Sequence, residues 1–297
     1  MTKLDVYDSR VTDLIPADAR LEKLATGFVF IEGPLWDFDE QSLSFTDVMG
    51  DVMYEYREGR GARVDRKPCD FSNGQTMDRQ GTRYVCEHQT RRVTRRKRGG
   101  RIEPVVTHYR GKRLNSPNDV VVAADGSVLF TDPTFGLTED YGGPAEQELD
   151  CQGVYRVAPG SDAPELLAGD FNQPNGLALT PDGTTLYVDD TAEGHIRAFD
   201  VTPGWTLTGG AVLAELPRDA DGVPDGLKLD LDGNIYCTGP GGIWIVDPGG
   251  AILGRLVVPE VAANLGWGDD DARGLYITAS TSLYRIRCAA TGYVAYR

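Results

Sequence analysis

A chain of 297 residues carrying 45 acidic and 30 basic side chains, net −15, lacks the basic footprint that a nucleic-acid partner needs. Hydrophobic residues are 40% of it, enough for a packed core, yet no apolar run approaches a membrane span, so no membrane partner is expected. Five scattered cysteines with no CxxC pair, and a start, MTKLDVYDSR, without a signal-peptide pattern, predict reduced thiols and a cytoplasmic protein.

Residues 1–27 precede a repeating unit made of a short strand, a turn and a second strand. The first copy is EGPLWDFDEQSLSFTDV at 32–48, followed by SNGQTMDRQGTRYVCEH at 72–88 and SPNDVVVAADGSVLFTD at 116–132. The clearest copy, QPNGLALTPDGTTLYVDD at 173–190, is a hairpin around Asp182–Gly183; PDGLKLDLDGNIYCTG at 224–239 and NLGWGDDDARGLYITAS at 264–280 complete the set. With Gly33, Gly74, Asp119, Gly176, Gly226 and Gly266 as markers, the steps are 41, 45, 57, 50 and 40 residues. That period fits propeller blades better than the shorter coils of a β-solenoid. Further strand segments follow at 52–54, 92–94, 153–155, 195–197, 243–245 and 283–285. The expectation is an all-β, six-bladed β-propeller with about four antiparallel strands per blade, forming one domain over residues 1–297. A hairpin alone is marginal in water, and an open array leaves sheet edges bare. Residues 1–27 are therefore expected to lend an outer strand that closes the ring beside the C-terminal piece at 283–296.

The step from the third to the fourth copy is stretched by PTFGLTEDYGGPAEQELDCQ at 133–152, which reads as a rim or lid rather than a spacer. Phe135 and Tyr141 on it are candidate substrate contacts. Arg91, Arg92, Arg95, Arg96, Lys97, Arg98 and Arg101 form a basic run on a blade's strand and hairpin, read as salt-bridged outer surface.

Just before its first strand, five of the six copies present an oxygen ligand or amide, Glu32, Asn73, Asn118, Asn175 and Asp225, while the last copy presents Leu265. In a ring, equivalent positions surround one axis, so Glu32, Asn175 and Asp225 become neighbours although Glu32 and Asn175 lie 143 positions apart. Asn-Gly and Asp-Gly are ordinary turn formers, but Glu32 is not a favoured turn residue. Two carboxylates with carboxamide oxygens suit one hard divalent cation, with Ca²⁺, Mg²⁺, Mn²⁺, Zn²⁺ and Fe²⁺ all admissible. There is no nucleophile elbow, and three histidines cannot alone build a zinc site.

The motifs EGPLW, SPNDVV, QPNGLAL and PDGLKLD resemble those of the senescence-marker-protein-30/gluconolactonase family. SNG at 72–74, CEH at 86–88 and TDPTFGL at 131–137 resemble its bacterial sugar-lactonase branch. The resemblance implies a six-bladed propeller with one divalent cation in its channel and a small-molecule lactone as substrate. It implies Glu32, Asn175 and Asp225 as metal ligands, with Asp225 also the base, and Asn118 touching substrate or a water on the metal. Three positions depart from the branch pattern: Gln75 replaces an aliphatic residue, Gln89 a glycine, and Ser116 an arginine that contacts substrate in some relatives. Gln75 and Ser116 are accordingly taken as candidate substrate contacts. His88 is a candidate for bonding a ring hydroxyl, while Asp132 and Asn73 are expected to orient site residues.

The function expected is metal-dependent hydrolysis of an aldonolactone, a Lewis acid polarising the carbonyl and an Asp225-activated water attacking it. The alternatives are hydrolysis of another ester or a phosphotriester in the same site, and a non-catalytic propeller that binds a ligand or protein. A monomer or small homo-oligomer is expected.

Overall fold

A computed structural model describes residues 2–297 of the chain. Six antiparallel sheets follow one another as the blades of a β-propeller, and the inner strand of each lines a central channel. The inner strands are, in chain order, Ile31–Asp37, Ser72–Met77, Val120–Val122, Pro174–Leu179, Leu227–Leu229 and Ala262–Gly268. Burial falls outward along each blade: Ile31–Asp37 and its partner Ser42–Asp47 are buried throughout, whereas the fourth strand, Gly61–Arg66, is half-exposed and polar. The alternation of large apolar and small residues lets neighbouring blades interdigitate. At the seams, Trp36 stacks on Tyr276 at 5.1 Å between the first and last blades, and Tyr236 meets Trp267 edge-on at 5.0 Å between the last two.

The ring closes as the sequence predicts. Glu22–Thr26 pairs antiparallel with Ser282–Arg287, register Glu22 to Arg285, and becomes the outer strand of the last blade. Lys3–Val6 does something unforeseen: it adds a fifth strand to the preceding blade, against Ile252–Val257. A short helix, Val11–Leu14, joins the two strands and buries Val11 with the nearby Ile15 against both blades. Two other expectations need correction. Arg91 is not part of the outer basic surface: it is buried and donates Nε–H to the Leu114 and Asn115 carbonyls, while Arg95 pairs at the surface with Glu103, and Arg92 and Arg98 reach from the surface to the buried Glu87 and Asp37. The marker of the last copy is also displaced. Asn264 faces Thr278 as Gly226 faces Thr238, so Ala263, not Leu265, stands at the position of Asp225. A threonine one blade earlier confirms the equivalence. Thr46 Oγ1 donates to the Asn73 carbonyl, Thr131 Oγ1 to that of Asn175 and Thr238 Oγ1 to that of Ala263.

The far end of the channel is covered. The C-terminal segment crosses it, with Tyr293 N donating to the Leu229 carbonyl at 2.9 Å and Tyr296 Oη to that of Trp36 at 2.9 Å. Beneath it lies an apolar cavity of about 140 Å³ walled by Leu35, Val122, Leu179, Leu229 and Trp267.

Removing residues 1–27 strips two blades of their outermost strands and leaves two unpaired edges. The truncated chain is expected to melt at least 10 °C lower and to associate, read by scanning calorimetry and light scattering; an unchanged monomer with an unchanged transition would contradict the closure described here.

Candidate active site at the open end of the channel

The open end is built from the first residues of the inner strands. Glu32 is buried, and its Oε2 accepts from its neighbour's amide, Gly33 N at 2.8 Å, and from Asn264 Nδ2 at 2.8 Å, a partner the shifted marker had hidden. Asn175 accepts from Asn118 Nδ2 through its own Oδ1, and its Nδ2 donates to Thr191 Oγ1 at 3.0 Å. Thr191 in turn donates to the Pro224 carbonyl at 2.7 Å, tying Asn175 to the residue before Asp225. Thr191 follows the second strand in an ordinary TAEG turn, so nothing local in the sequence signals it. Glycines follow Asn73, Asn175 and Asp225 because the next blade is in the way of a side chain. A Cβ at Gly74 would lie 2.5 Å from the Asn118 carbonyl oxygen, and one at Gly176 would strike the Asp225 carbonyl.

Carboxylates fix the loops leading into these strands. Asp47 accepts from the amides of Val29 and Phe30, both at 2.9 Å, and Asp190 from those of Asn172 and Gln173 at 2.7 and 3.0 Å. Asp51 takes the amides of Cys69 and Phe71 at 2.9 Å. Asp132, fully buried, accepts the Asn115 amide at 2.8 Å; burial pushes its carboxyl up to about 7. Asp132 thus acts on the loop carrying Asn118, at one remove from the channel.

Asn118 is the hub of a carboxamide relay. Its Oδ1 accepts from Asn73 Nδ2 at 2.8 Å and lies 3.2 Å from His88 Nε2. His88 is fully buried beneath the 133–152 excursion, its Nδ1 2.9 Å from the Tyr141 carbonyl. That carbonyl can only accept, so Nδ1 carries the proton and Nε2 is left as an acceptor, 3.3 Å from Asn73 Nδ2. Burial lowers the imidazole's pKa to about 4, keeping it neutral. Gly136 and Gly142 of the excursion sit directly on His88, where a Cβ at either would fall 2.6 Å and 3.1 Å from the His88 Cβ. Tyr141 packs edge-on against Phe30 at 5.7 Å, bringing the excursion across the mouth. Phe135 lies half-buried on the turn Phe135–Leu137.

Two candidate contacts are not available to a ligand. The Ser116 hydroxyl is buried, donating to the Pro133 carbonyl at 2.6 Å and accepting from Gly136 N at 3.0 Å, so it anchors the excursion. Gln75 bridges two blades through the Gly33 carbonyl at 2.8 Å and Ser44, and faces the covered end of the channel.

The electrostatics of the channel are dominated by acids. Burial raises Glu32 to about 7 and Asp225 well above the usual carboxylate range; Glu32, Asp189 and Asp119 push Asp225 up further, while Asn175 draws it down. Asp189, fully buried with Oδ1 unpartnered, is likewise raised well above its ordinary value. Lys228, 3.4 Å from Asp119, provides a counter-charge. Among the described residues no three His, Cys, Asp or Glu side chains form a metal cage. The donor set of Glu32, Asp225 and the Asn175 carboxamide is all oxygen, and burial raises both carboxyls above their ordinary range. Both features fit a hard divalent ion.

Comparison with known proteins places these features in context. Residues 30–281 match the SMP-30/Gluconolactonase/LRE-like region. The chain is 29% identical over 319 residues to the gluconolactonase of Zymomonas mobilis, covering 98% of this chain and 87% of that one. It is 26% identical to the pentonolactonase of Haloferax volcanii, covering 90% and 93%. The solved gluconolactonase of Xanthomonas campestris superposes with a TM-score of 0.89 at 35% identity, over 96% of this chain and 94% of that one.

His88, held neutral, should titrate near 4 in an NMR pH series rather than at the ordinary value near 6.5. The unfolded chain then binds the extra proton between those two values, so stability falls as pH drops from 6.5 to 4. The total is about 3 kcal/mol, and a His88→Gln variant should lack this component in chemical denaturation.

Proposed function

The chain belongs to the SMP-30/gluconolactonase/LRE-like family and is a lactone hydrolase; we propose that it opens an aldonolactone to its aldonic acid with a divalent cation held by Glu32, Asn175 and Asp225. The observation that carries the proposal is the set of oxygen donors at one end of the channel, with both carboxyls raised by burial and by neighbouring acids. Bound there, a divalent cation supplies Lewis-acid polarisation of the carbonyl and stabilises the negative charge that develops on its oxygen.

Asp225, once ionised, accepts one proton of the attacking water as the water oxygen bonds to the lactone carbon. The same carboxyl then returns that proton to the ring oxygen as the carbon–oxygen ring bond breaks, leaving the hydroxyl and the carboxylic acid of the open form, whose own proton passes to solvent. Asn118 orients water or substrate through its amide, and the direction of that amide is set by Asn73 and Asn175, with His88 Nε2 holding the Asn73 amide in turn. A neutral His88 serves this better than a charged one, since it leaves Asn73 a fixed acceptor. Tyr141 and Phe30 screen the mouth from bulk water.

Asp225→Asn should lower kcat by at least a hundredfold with the thermal transition preserved, as removal of a general base does; full activity in that variant would exclude Asp225 as the base. Chelator-treated protein should be inactive toward aldonolactones in a pH-stat assay and recover with one added divalent metal. Because a raised Glu32 must give up its proton to bind a cation, metal affinity should fall as pH drops below about 7, with proton release seen calorimetrically. Metal binding independent of pH would count against Glu32 as a ligand.

A further inference from the structure

The ring symmetry defines a second tier above the channel residues. Two positions before Glu32, Asn73, Asn118, Asn175, Asp225 and Ala263 stand Phe30, Phe71, Ser116, Gln173, Val223 and Val261. These residues form the rim. Val223 and Val261 are 42% and 38% exposed, unusual for large apolar side chains, and Phe30 and Phe71 are half-exposed. The two polar members are both engaged. Ser116 is buried under the excursion, and Gln173 accepts from Thr134 N at 3.0 Å and donates to Thr134 Oγ1 at 2.9 Å.

No rim position carries a cation, and the arginines nearest this face are turned elsewhere. Arg66 donates to the Cys69 carbonyl, Ser72 and Glu87; Arg91 to the Leu114 and Asn115 carbonyls; Arg218 to the Ala192 and Glu193 carbonyls. Below the rim, the channel holds the carboxyls of Glu32, Asp119, Asp189 and Asp225.

We infer that the preferred substrate is an uncharged aldonolactone whose distal carbon ends in a methyl group, a 6-deoxy sugar lactone, with Phe30, Tyr141 and Val223 as its specificity residues. The inference rests on the lactone-hydrolysis reading above. With the carbonyl at Asp225 and Asn118, the far end of the ring must emerge at the rim. A methyl group there is removed from water against aromatic and valine surface. A hydroxymethyl group meets no polar partner on Phe30, Val223 or Val261 and loses its hydration, while a phosphate would be left without a cation above an acidic channel. Tyr141 has its hydroxyl free for a hydroxyl nearer the ring.

The test compares matched lactones that differ only at carbon 6 (methyl, hydroxymethyl and, where it exists, phosphate) in the gluco, galacto and manno series, on metal-restored enzyme. Within whichever series is hydrolysed, kcat/KM should be about tenfold higher for methyl than for hydroxymethyl, and at least a hundredfold higher than for phosphate. The hydroxymethyl or phosphate compound being equal or better would overturn the inference and leave lactone hydrolysis standing. No turnover in any series would overturn both. Val223→Lys should narrow the phosphate penalty at least tenfold, and Phe30→Ala should bring the methyl preference towards unity, mainly through KM. Unchanged ratios in both variants, with melting curves like the parent's, would remove the rim from substrate selection.

Discussion

Everything at the open end of the channel depends on carboxyl groups crowded into a space with little water. Burial raises the pKa of both Glu32 and Asp225; Asp119 adds repulsion to each, and Glu32 and Asp189 push Asp225 up further. Buried like charges cannot all ionise, so the site must hold protons or acquire a cation. Lys228 relieves part of the problem from below through Asp119. The polar relay of Asn73, Asn118 and Asn175 is its neutral complement, passing amide hydrogens in one direction around the ring.

Precision in that cluster comes from the layer outside it. A carboxylate accepts two consecutive or alternate backbone amides just before the inner strand in three blades, which fixes both the channel residue and the rim residue two positions earlier. A threonine hydroxyl then reaches across to the next blade's carbonyl. Since each threonine link spans adjacent blades, as does that of Asp51, a side chain's place is decided by its neighbours' backbones as much as by its own. The glycines at 74 and 176 are the steric side of the same arrangement, leaving room for blades to approach.

The fold was legible because its signals are periodic and local: alternating strands, Asp-Gly turns and a spacing that repeats. The closing strand was legible from the need to cover an edge, whereas Lys3–Val6 was not, since a blade is already complete with four strands and nothing requires a fifth. In the last copy the Leu265–Gly266 pair imitates the motif two residues late, and only the cross-blade bonds of Thr238 and Asn264 reveal the true register. Ser116 and Gln75 stand at or next to motif positions, but which way a side chain points depends on neighbours far away in sequence. Ser116 turns to the excursion and Gln75 to the preceding blade. Thr191 and Asn264 gave no signal, because they matter only through partners 33 and 232 residues away.

The pairing of Glu22–Thr26 with Ser282–Arg287 carries a consequence for how the chain comes to be folded. Glu22 and Arg285 hydrogen-bond across 263 residues, the kind of non-local contact that slows folding. On a ribosome adding about 5–20 residues per second, the first strand waits roughly 13–50 s for its partner. During that interval the first blade has the second beside it but lacks the last blade on its other flank. The chain's most exposed moment is therefore set by its topology: a five-bladed arc with two open flanks, which closes only when Ser282–Arg287 meets Glu22–Thr26.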